Sequence, residues 1–210
     1  MADLEVNFVF LREGTSDDGL IPHLRSLLSR AGADSAVGSS RAYSGSVAER
    51  LERVLNEESR PSLIFVHRDS DSSDATARRS EILDSARKLG LAMPIVPVVP
   101  VQELEAWLLL DEAAIREVAG NPAGRVSLDL PKISAIERCA SPKEVLERAL
   151  IASSGKSGRR LKKEKRSFTS RREVLLQRLD LDGNLPQLPA WQRLVDDVNN
   201  AVAGLRQNRD

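Results

Sequence analysis

The chain has 210 residues, of which 41% are hydrophobic, 30% are charged and 3% are aromatic, and its formal net charge is zero. This composition is typical of a soluble globular protein, and the scarcity of aromatic residues predicts a core of mostly aliphatic side chains. With one cysteine, Cys139, no intrachain disulfide can form. We identify neither a signal peptide nor an apolar stretch long enough to span a membrane, and we expect a cytoplasmic protein.

Apolar runs predict four strands. The first covers residues 4–11, and a weak one covers residues 35–44. The third, residues 63–66, is short, continuously apolar and preceded by Pro61, as in a strand buried on both faces. The fourth, residues 93–101, contains three prolines and is therefore predicted to be short or to lie at an edge of the sheet.

Amphipathic segments predict helices between these strands, at residues 18–30, from Ser46 onwards with Glu49 completing a capping box, and at residues 73–89. Strands that alternate with helices predict an α/β fold with a mainly parallel central sheet flanked by helices. Later helices are predicted at residues 102–118, from Ser141, and at residues 189–205. We therefore expect an α/β domain at residues 1–120 and a helical C-terminal region at residues 121–210.

Acidic residues cluster where predicted strands end. The three pairs are Glu13 with Asp17, Asp69 with Asp71, and Glu103 with Glu105. The carboxyl ends of parallel strands lie on one rim of the sheet, so the pairs are predicted to converge there. Convergent carboxylates repel one another unless a cation lies between them, and hard oxygen ligands suit Mg²⁺ or Mn²⁺.

Most of these residues also have a purely structural interpretation, and Glu13 could be a lone surface acid. Asp69 and Asp71 lie in a segment whose Asp and Ser residues are typical helix caps, and Glu103 and Glu105 would favour the N-terminal dipole of the helix predicted there. His67 is more often a residue that makes local hydrogen bonds than a ligand or proton carrier. Trp107 and Trp191 are expected in the core, because leucines lie three or four residues away in each helix.

The order of strand, Glu13-Gly14-x-x-Asp17, helix, strand and Asp69-x-Asp71 resembles the TOPRIM domain of topoisomerases, primases and the overcoming-lysogenization-defect nucleases. The resemblance implies a metal-dependent phosphoryl-transfer site in which Glu13, Asp69 and Asp71 hold one ion. It also implies that Asp17 and Glu105 bind a second ion or orient a water molecule. The segment Val66-His67-Arg68 departs from the pattern, since relatives often have an Asp or a small residue before the pair.

Residues 103–109, which include Glu-Leu-Glu-Ala-Trp, resemble the signature of a small TOPRIM-like family, and residues 188–194 resemble its C-terminal helix. Members of that family are often encoded beside ATPases in settings that suggest bacterial defence against phage. The resemblance spans most of the chain, and the Glu-Ala-Trp stretch is its most specific part.

We therefore expect a Mg²⁺- or Mn²⁺-dependent nuclease, or a nuclease-like effector subunit, in an anti-phage system. The catalytic set would be Glu13, Asp69, Asp71 and Glu105, with Asp17 and Glu103 as further metal ligands. One alternative is a non-catalytic subunit of the same fold that binds a partner ATPase, and another is a transferase that holds a metal-nucleotide through Asp-x-Asp.

Residues 156–172 carry nine cations and one acid, Glu164. They are expected to form either a mobile loop or a helix that orders on binding, and a nucleic-acid backbone is the expected partner. A solvated, disordered loop is the alternative. The candidate phosphate-binding residues are Lys156, Arg159, Arg160, Lys162, Lys163, Lys165 and Arg166.

Overall fold

The computed structural model describes residues 3–208, although the side chains of Lys163 and Lys165 lie outside the described part. Its centre is a four-stranded parallel sheet in the order β2-β1-β3-β4. The strands are β1 (Glu5–Leu11), β2 (Ser35–Arg41), β3 (Leu63–His67) and β4 (Ile95–Val98). The α/β prediction with a parallel sheet is therefore confirmed.

The position of each strand follows from its sequence. Every residue of β3 is buried, as its continuous apolar run predicts for a central strand. Strand β4 contains Pro97 and lies at an edge, where a missing backbone N–H costs little. The weakly predicted strand at residues 35–44 is β2, the opposite edge.

Helices cover both faces of the sheet. Those before residue 100 are α1 (Ile21–Arg30), α2 (Val47–Leu55) and α3 (Thr76–Lys88), and a 3-10 turn (Thr15–Leu20) precedes α1. Later helices are α4 (Glu105–Leu108), α5 (Glu112–Val118), α6 (Pro142–Ser154), α7 (Gly158–Arg166), α8 (Phe168–Gln177) and α9 (Pro189–Gln207), with 3-10 turns at Ile133–Arg138 and Leu185–Gln187. Ser46 and Glu49 form the predicted capping box of α2.

One prediction after residue 100 is wrong. The long helix expected at residues 102–118 is divided into α4 and α5, because the Asp111 side chain accepts a hydrogen bond from the Ala114 N–H at 2.9 Å and starts a new helix. The basic segment, for which either a loop or a helix was expected, is helical and forms α7 and the first half of α8.

Two hydrophobic clusters sandwich the sheet, because alternate strand residues point to opposite faces. Phe8 and Phe65 contribute to the larger cluster, which also receives residues from both sides of position 120. Trp107 and Trp191 lie in the same cluster with their rings edge to face, 5.1 Å between centroids, so their predicted core role is confirmed. In the part of the chain that the structure describes, no helix has both the length and the apolarity needed to cross a bilayer.

Candidate metal centre

The strand order creates a crevice at the carboxyl ends of β1 and β3. These strands are neighbours, yet the chain leaves β1 towards β2 at one edge and leaves β3 towards β4 at the other. Diverging connections of this kind open the crevice in which doubly wound sheets bind ligands. Glu13 and Asp69 each follow the last residue of their strand by two positions, which brings them to this crevice.

A cleft of about 320 Å³ occupies the crevice. Five of its lining residues are predicted acids, namely Glu13, Asp17, Asp69, Glu103 and Glu105. The others are Gly14, Thr15, Ser16, Lys143, Phe168, Thr169 and Arg172. Acids from three distant parts of the sequence thus face one space, as their positions after the strands predict.

Glu13, His67 and Asp69 form a group of donor atoms that could hold a metal ion. One ligand atom from each residue lies within 4.8 Å of the other two. Backbone groups fix the two carboxylates, since Glu13 Oε2 accepts the Asp69 N–H at 2.7 Å and Asp69 Oδ1 accepts the Leu104 N–H at 2.9 Å. Both acids border the cleft, so an ion could reach them from solvent.

His67, the last residue of β3, is 1% exposed and lies between two carboxylates. Its Nδ1 donates to Asp17 Oδ2 at 3.0 Å, because an ionised carboxylate can only accept. Its Nε2 lies 3.3 Å from Asp69 Oδ1 but makes no hydrogen bond to any described group. Burial lowers the pKa of His67, but Asp17 and Asp69 outweigh burial and raise it to about 9.

Asp17 is fully buried in the 3-10 turn after β1. Its Oδ2 accepts the Gly14 N–H at 2.6 Å as well as the His67 hydrogen bond, and its Oδ1 accepts from Arg172 at 3.0 Å. Burial raises the pKa of Asp17, yet His67 and Arg172 lower it to about 2. With both oxygens engaged, Asp17 orients His67 instead of occupying the predicted ligand position.

Glu105 is also held by Arg172, from α8. The Arg172 Nε donates to Glu105 Oε1 at 2.8 Å, and its Nη1 donates to Asp17 and to Ser16 Oγ. Burial lowers the pKa of Arg172, but the charges of Glu105 and Asp17 raise it above its ordinary value. The structure therefore pairs Glu105 with a guanidinium, where the sequence predicted a catalytic acid or metal ligand.

Glu103 lines the cleft and contacts the first turn of α6. Its Oε2 accepts the backbone N–H of Lys143 at 3.0 Å, so it serves as a cap from a distant part of the chain. Burial, together with the charges of Glu105 and Asp69, raises the pKa of Glu103. Glu103 thus holds a proton more readily than a solvated glutamate does.

Asp71 is not among the residues that line the cleft. Strand β3 ends at His67, and Asp71 has a left-handed backbone with φ of 53°, so the extended geometry that would align it with Asp69 is lost. Its Oδ2 pairs with Arg78 at 3.0 Å, and its side chain is exposed. The structure therefore gives no support to Asp71 as a partner of Asp69 in one ligand set.

Some cations of the basic segment form ion pairs with acids of the protein, whereas others form none within the described residues. Lys156 pairs with Glu164 at 2.7 Å, and Arg171 of α8 pairs with the same buried carboxylate, which ties α7 to α8. Four exposed side chains have no ion pair within the described residues, and these are Arg159, Arg160, Lys162 and Arg166. Of the other predicted phosphate-binding residues, Lys163 and Lys165 have side chains outside the described part.

Sequence reasoning did not anticipate the role of Arg172. It lies at the end of the basic segment, but no motif distinguishes it from the eight other cations there. For His67, local hydrogen bonds were favoured over a ligand role, and the structure places it in one donor group with Glu13 and Asp69. No protein-family model, curated protein or solved structure matches this chain.

Proposed function

We propose that the protein is a divalent-metal-dependent nuclease of TOPRIM-like type, in which Glu13, His67 and Asp69 bind the ion. The observation that carries this proposal is the convergence of one donor atom each from Glu13, His67 and Asp69, all within 4.8 Å of one another, at the binding crevice of the sheet. Nε2 of His67 is buried, makes no hydrogen bond to a described group and lies 3.3 Å from Asp69 Oδ1. A bound cation would take the place of the proton that the neighbouring carboxylates hold on His67.

The donor set fits a metal ion of intermediate hardness. Mg²⁺ prefers oxygen ligands and keeps several waters, whereas Mn²⁺ accepts imidazole together with carboxylates. The hydrogen bond from His67 Nδ1 to Asp17 fixes the ring, as carboxylates commonly do for metal-bound histidines. The sequence predicts either Mg²⁺ or Mn²⁺ as the metal, and this set of ligands favours Mn²⁺.

The remaining residues of the cleft suit phosphodiester hydrolysis. An ion bound there would polarise a phosphate oxygen and make bound water more acidic. Glu103 borders the cleft and is a candidate general acid for the leaving oxygen. Lys143 lies on the rim and adds positive charge for a phosphate.

The proposed substrate is nucleic acid, and α7 supports this choice. Within the described residues, α7 carries four exposed cations that form no ion pair, and Phe168 and Thr169 at the start of α8 border the cleft. Closely spaced phosphates attract such cations and release counterions when bound. The resemblance described above adds a partner ATPase and a role in anti-phage defence to this proposal.

The proposal is tested by incubating the full chain with Mn²⁺ or Mg²⁺ and end-labelled single- and double-stranded DNA and RNA. We expect cleavage that Asp69→Asn abolishes, because the substitution removes a ligand charge but keeps the oxygen that accepts the Leu104 N–H. Asp182→Asn, at an exposed ion pair with Arg30, is the control and should cleave normally.

Two outcomes would contradict the proposal. One is cleavage that persists in Asp69→Asn at the wild-type rate. The other is no Mn²⁺ binding and no cleavage of any substrate, with or without a partner ATPase, which would favour the non-catalytic subunit instead.

The role of these cations is tested separately by fluorescence anisotropy with labelled DNA at several salt concentrations. Replacing Arg160 or Lys162 by alanine should weaken binding to all sequences alike. If each contacts one phosphate, each substitution should lower the salt slope of log K by about 1. An unchanged slope would place nucleic acid elsewhere on the protein.

A further inference from the structure

We propose that the cleft holds a single divalent ion and that the Arg172 guanidinium takes the place of a second one. This inference rests on the proposed function, and it specifies how charge in that site is balanced. Nucleases with two ions hold them about 4 Å apart, and carboxylate oxygens help to bind both ions. A carboxylate that is already paired with a buried protein cation is less available to a second ion.

Of the acids that line the cleft, Glu13 lies 3.3 Å from Arg68 Nε and Asp69 lies 3.3 Å from His67 Nε2. The other three acids have partners that are fixed more closely. Asp17 and Glu105 share Arg172, and Glu103 accepts the N–H of Lys143. The side chains of Asp17 and Glu105 are 1% and 5% exposed, so they are nearly dry charges that require a cation. Arg172 supplies one, and its guanidinium remains charged throughout the accessible pH range.

Helix α8 fixes Arg172 against the turn that carries Asp17. The His23 side chain bonds to the backbone carbonyl of Leu176 at 2.8 Å, which ties α8 to α1. Leu176 also packs closely against Gly19, where an added methyl carbon would lie 3.1 Å from the Leu176 Cβ. This close packing holds the guanidinium between the two carboxylates, so a metal ion cannot easily displace it.

One guanidinium nitrogen is left for the substrate. Nε and Nη1 donate to Glu105, Asp17 and Ser16, whereas Nη2 donates to none of the described residues. Arg172 borders the cleft, and a planar guanidinium with a free N–H edge suits a phosphate oxygen. Arg172 would therefore supply the charge that a second ion gives elsewhere.

The test is the number of Mn²⁺ ions bound per full-length chain without nucleic acid, measured by equilibrium dialysis and by the electron paramagnetic resonance of free Mn²⁺. We expect one ion for the wild type and a second, weaker ion for Arg172→Ala, since Asp17 and Glu105 then lack a cation. Arg172→Lys restores a charge and should return the number to one. Arg30→Ala, which removes an exposed ion pair with Asp182, should leave it at one.

Two ions in the wild type would overturn the inference while supporting the proposed function. One ion in folded Arg172→Ala would show that Asp17 and Glu105 form no second site, which also overturns it. No ion in the wild type would overturn the metal centre itself. If Arg172→Ala does not fold, anomalous density from Mn²⁺ in wild-type crystals decides, because one peak beside Asp69 supports the inference and a second beside Glu105 refutes it.

Discussion

Replacing Arg172 by methionine removes a buried cation while keeping most of the side-chain volume. In the native protein its guanidinium donates to Glu105 at 2.8 Å, to Ser16 at 2.6 Å and to Asp17 at 3.0 Å. The variant leaves two buried carboxylates without their partner. Removing one member of a buried ion pair typically costs about 3–5 kcal/mol, and we expect a loss of this size in the free energy of unfolding at pH 7.

Arg30 provides a matched control, because it also donates to a carboxylate through two nitrogens, at 2.8 Å each. Its pair with Asp182 is exposed, so Arg30→Met should cost less than about 1 kcal/mol. Urea denaturation with EDTA present gives both values from the midpoint and the slope. Trp107 and Trp191 are buried and in contact, so their fluorescence reports loss of the core.

A double variant separates the lost attraction from the charge left behind. Adding Glu105→Gln to Arg172→Met removes one uncompensated carboxylate, so the double variant should lose less stability than the two single variants together. Equal losses for Arg172→Met and Arg30→Met would refute the reasoning, because the buried bridge would then contribute no more than a surface pair.

Three further predictions concern the ion, the packing and the pH response. Asp17→Asn should weaken Mn²⁺ binding by about 10–100-fold in calorimetry, because it removes the carboxylate that orients the metal-binding imidazole, and unchanged affinity would argue against that role. Gly38→Ala should lower the free energy of unfolding in urea by about 1–3 kcal/mol, since the added methyl group would overlap the buried Phe8 ring. The control Gly204→Ala lies in a helix with open space around it and should raise the free energy of unfolding by about 0.5–1 kcal/mol. Burial lowers the pKa of His23 below 6.5, so the unfolded chain binds its proton first and the free energy of unfolding should fall as the pH drops below 6.5. His23→Gln should remove that part of the decline, and an identical decline in the variant would exclude His23 as its cause.

Local patterns in the sequence were sufficient for the sheet and for most helices. The continuous apolar run of β3 predicts a central strand, and the prolines around β4 predict an edge, because both depend on the chemistry of neighbouring residues. The same patterns place acids after strands, so the convergence of Glu13, Asp69 and Glu103 on one cleft was predictable. The break between α4 and α5 was not predictable, because apolar residues continue beyond Asp111, the residue that caps the start of α5.

Only the tertiary structure decided which of these acids are paired with a buried guanidinium. Asp17 and Glu105 are 88 residues apart in sequence, and a guanidinium from α8 neutralises both. The fold places His67 beside Glu13 and Asp69, whereas Asp71 has a left-handed backbone and pairs with Arg78. A sequence specifies which charges exist and roughly where elements begin and end. The pairing of buried charges depends on distances across the fold, and no local pattern contains those distances.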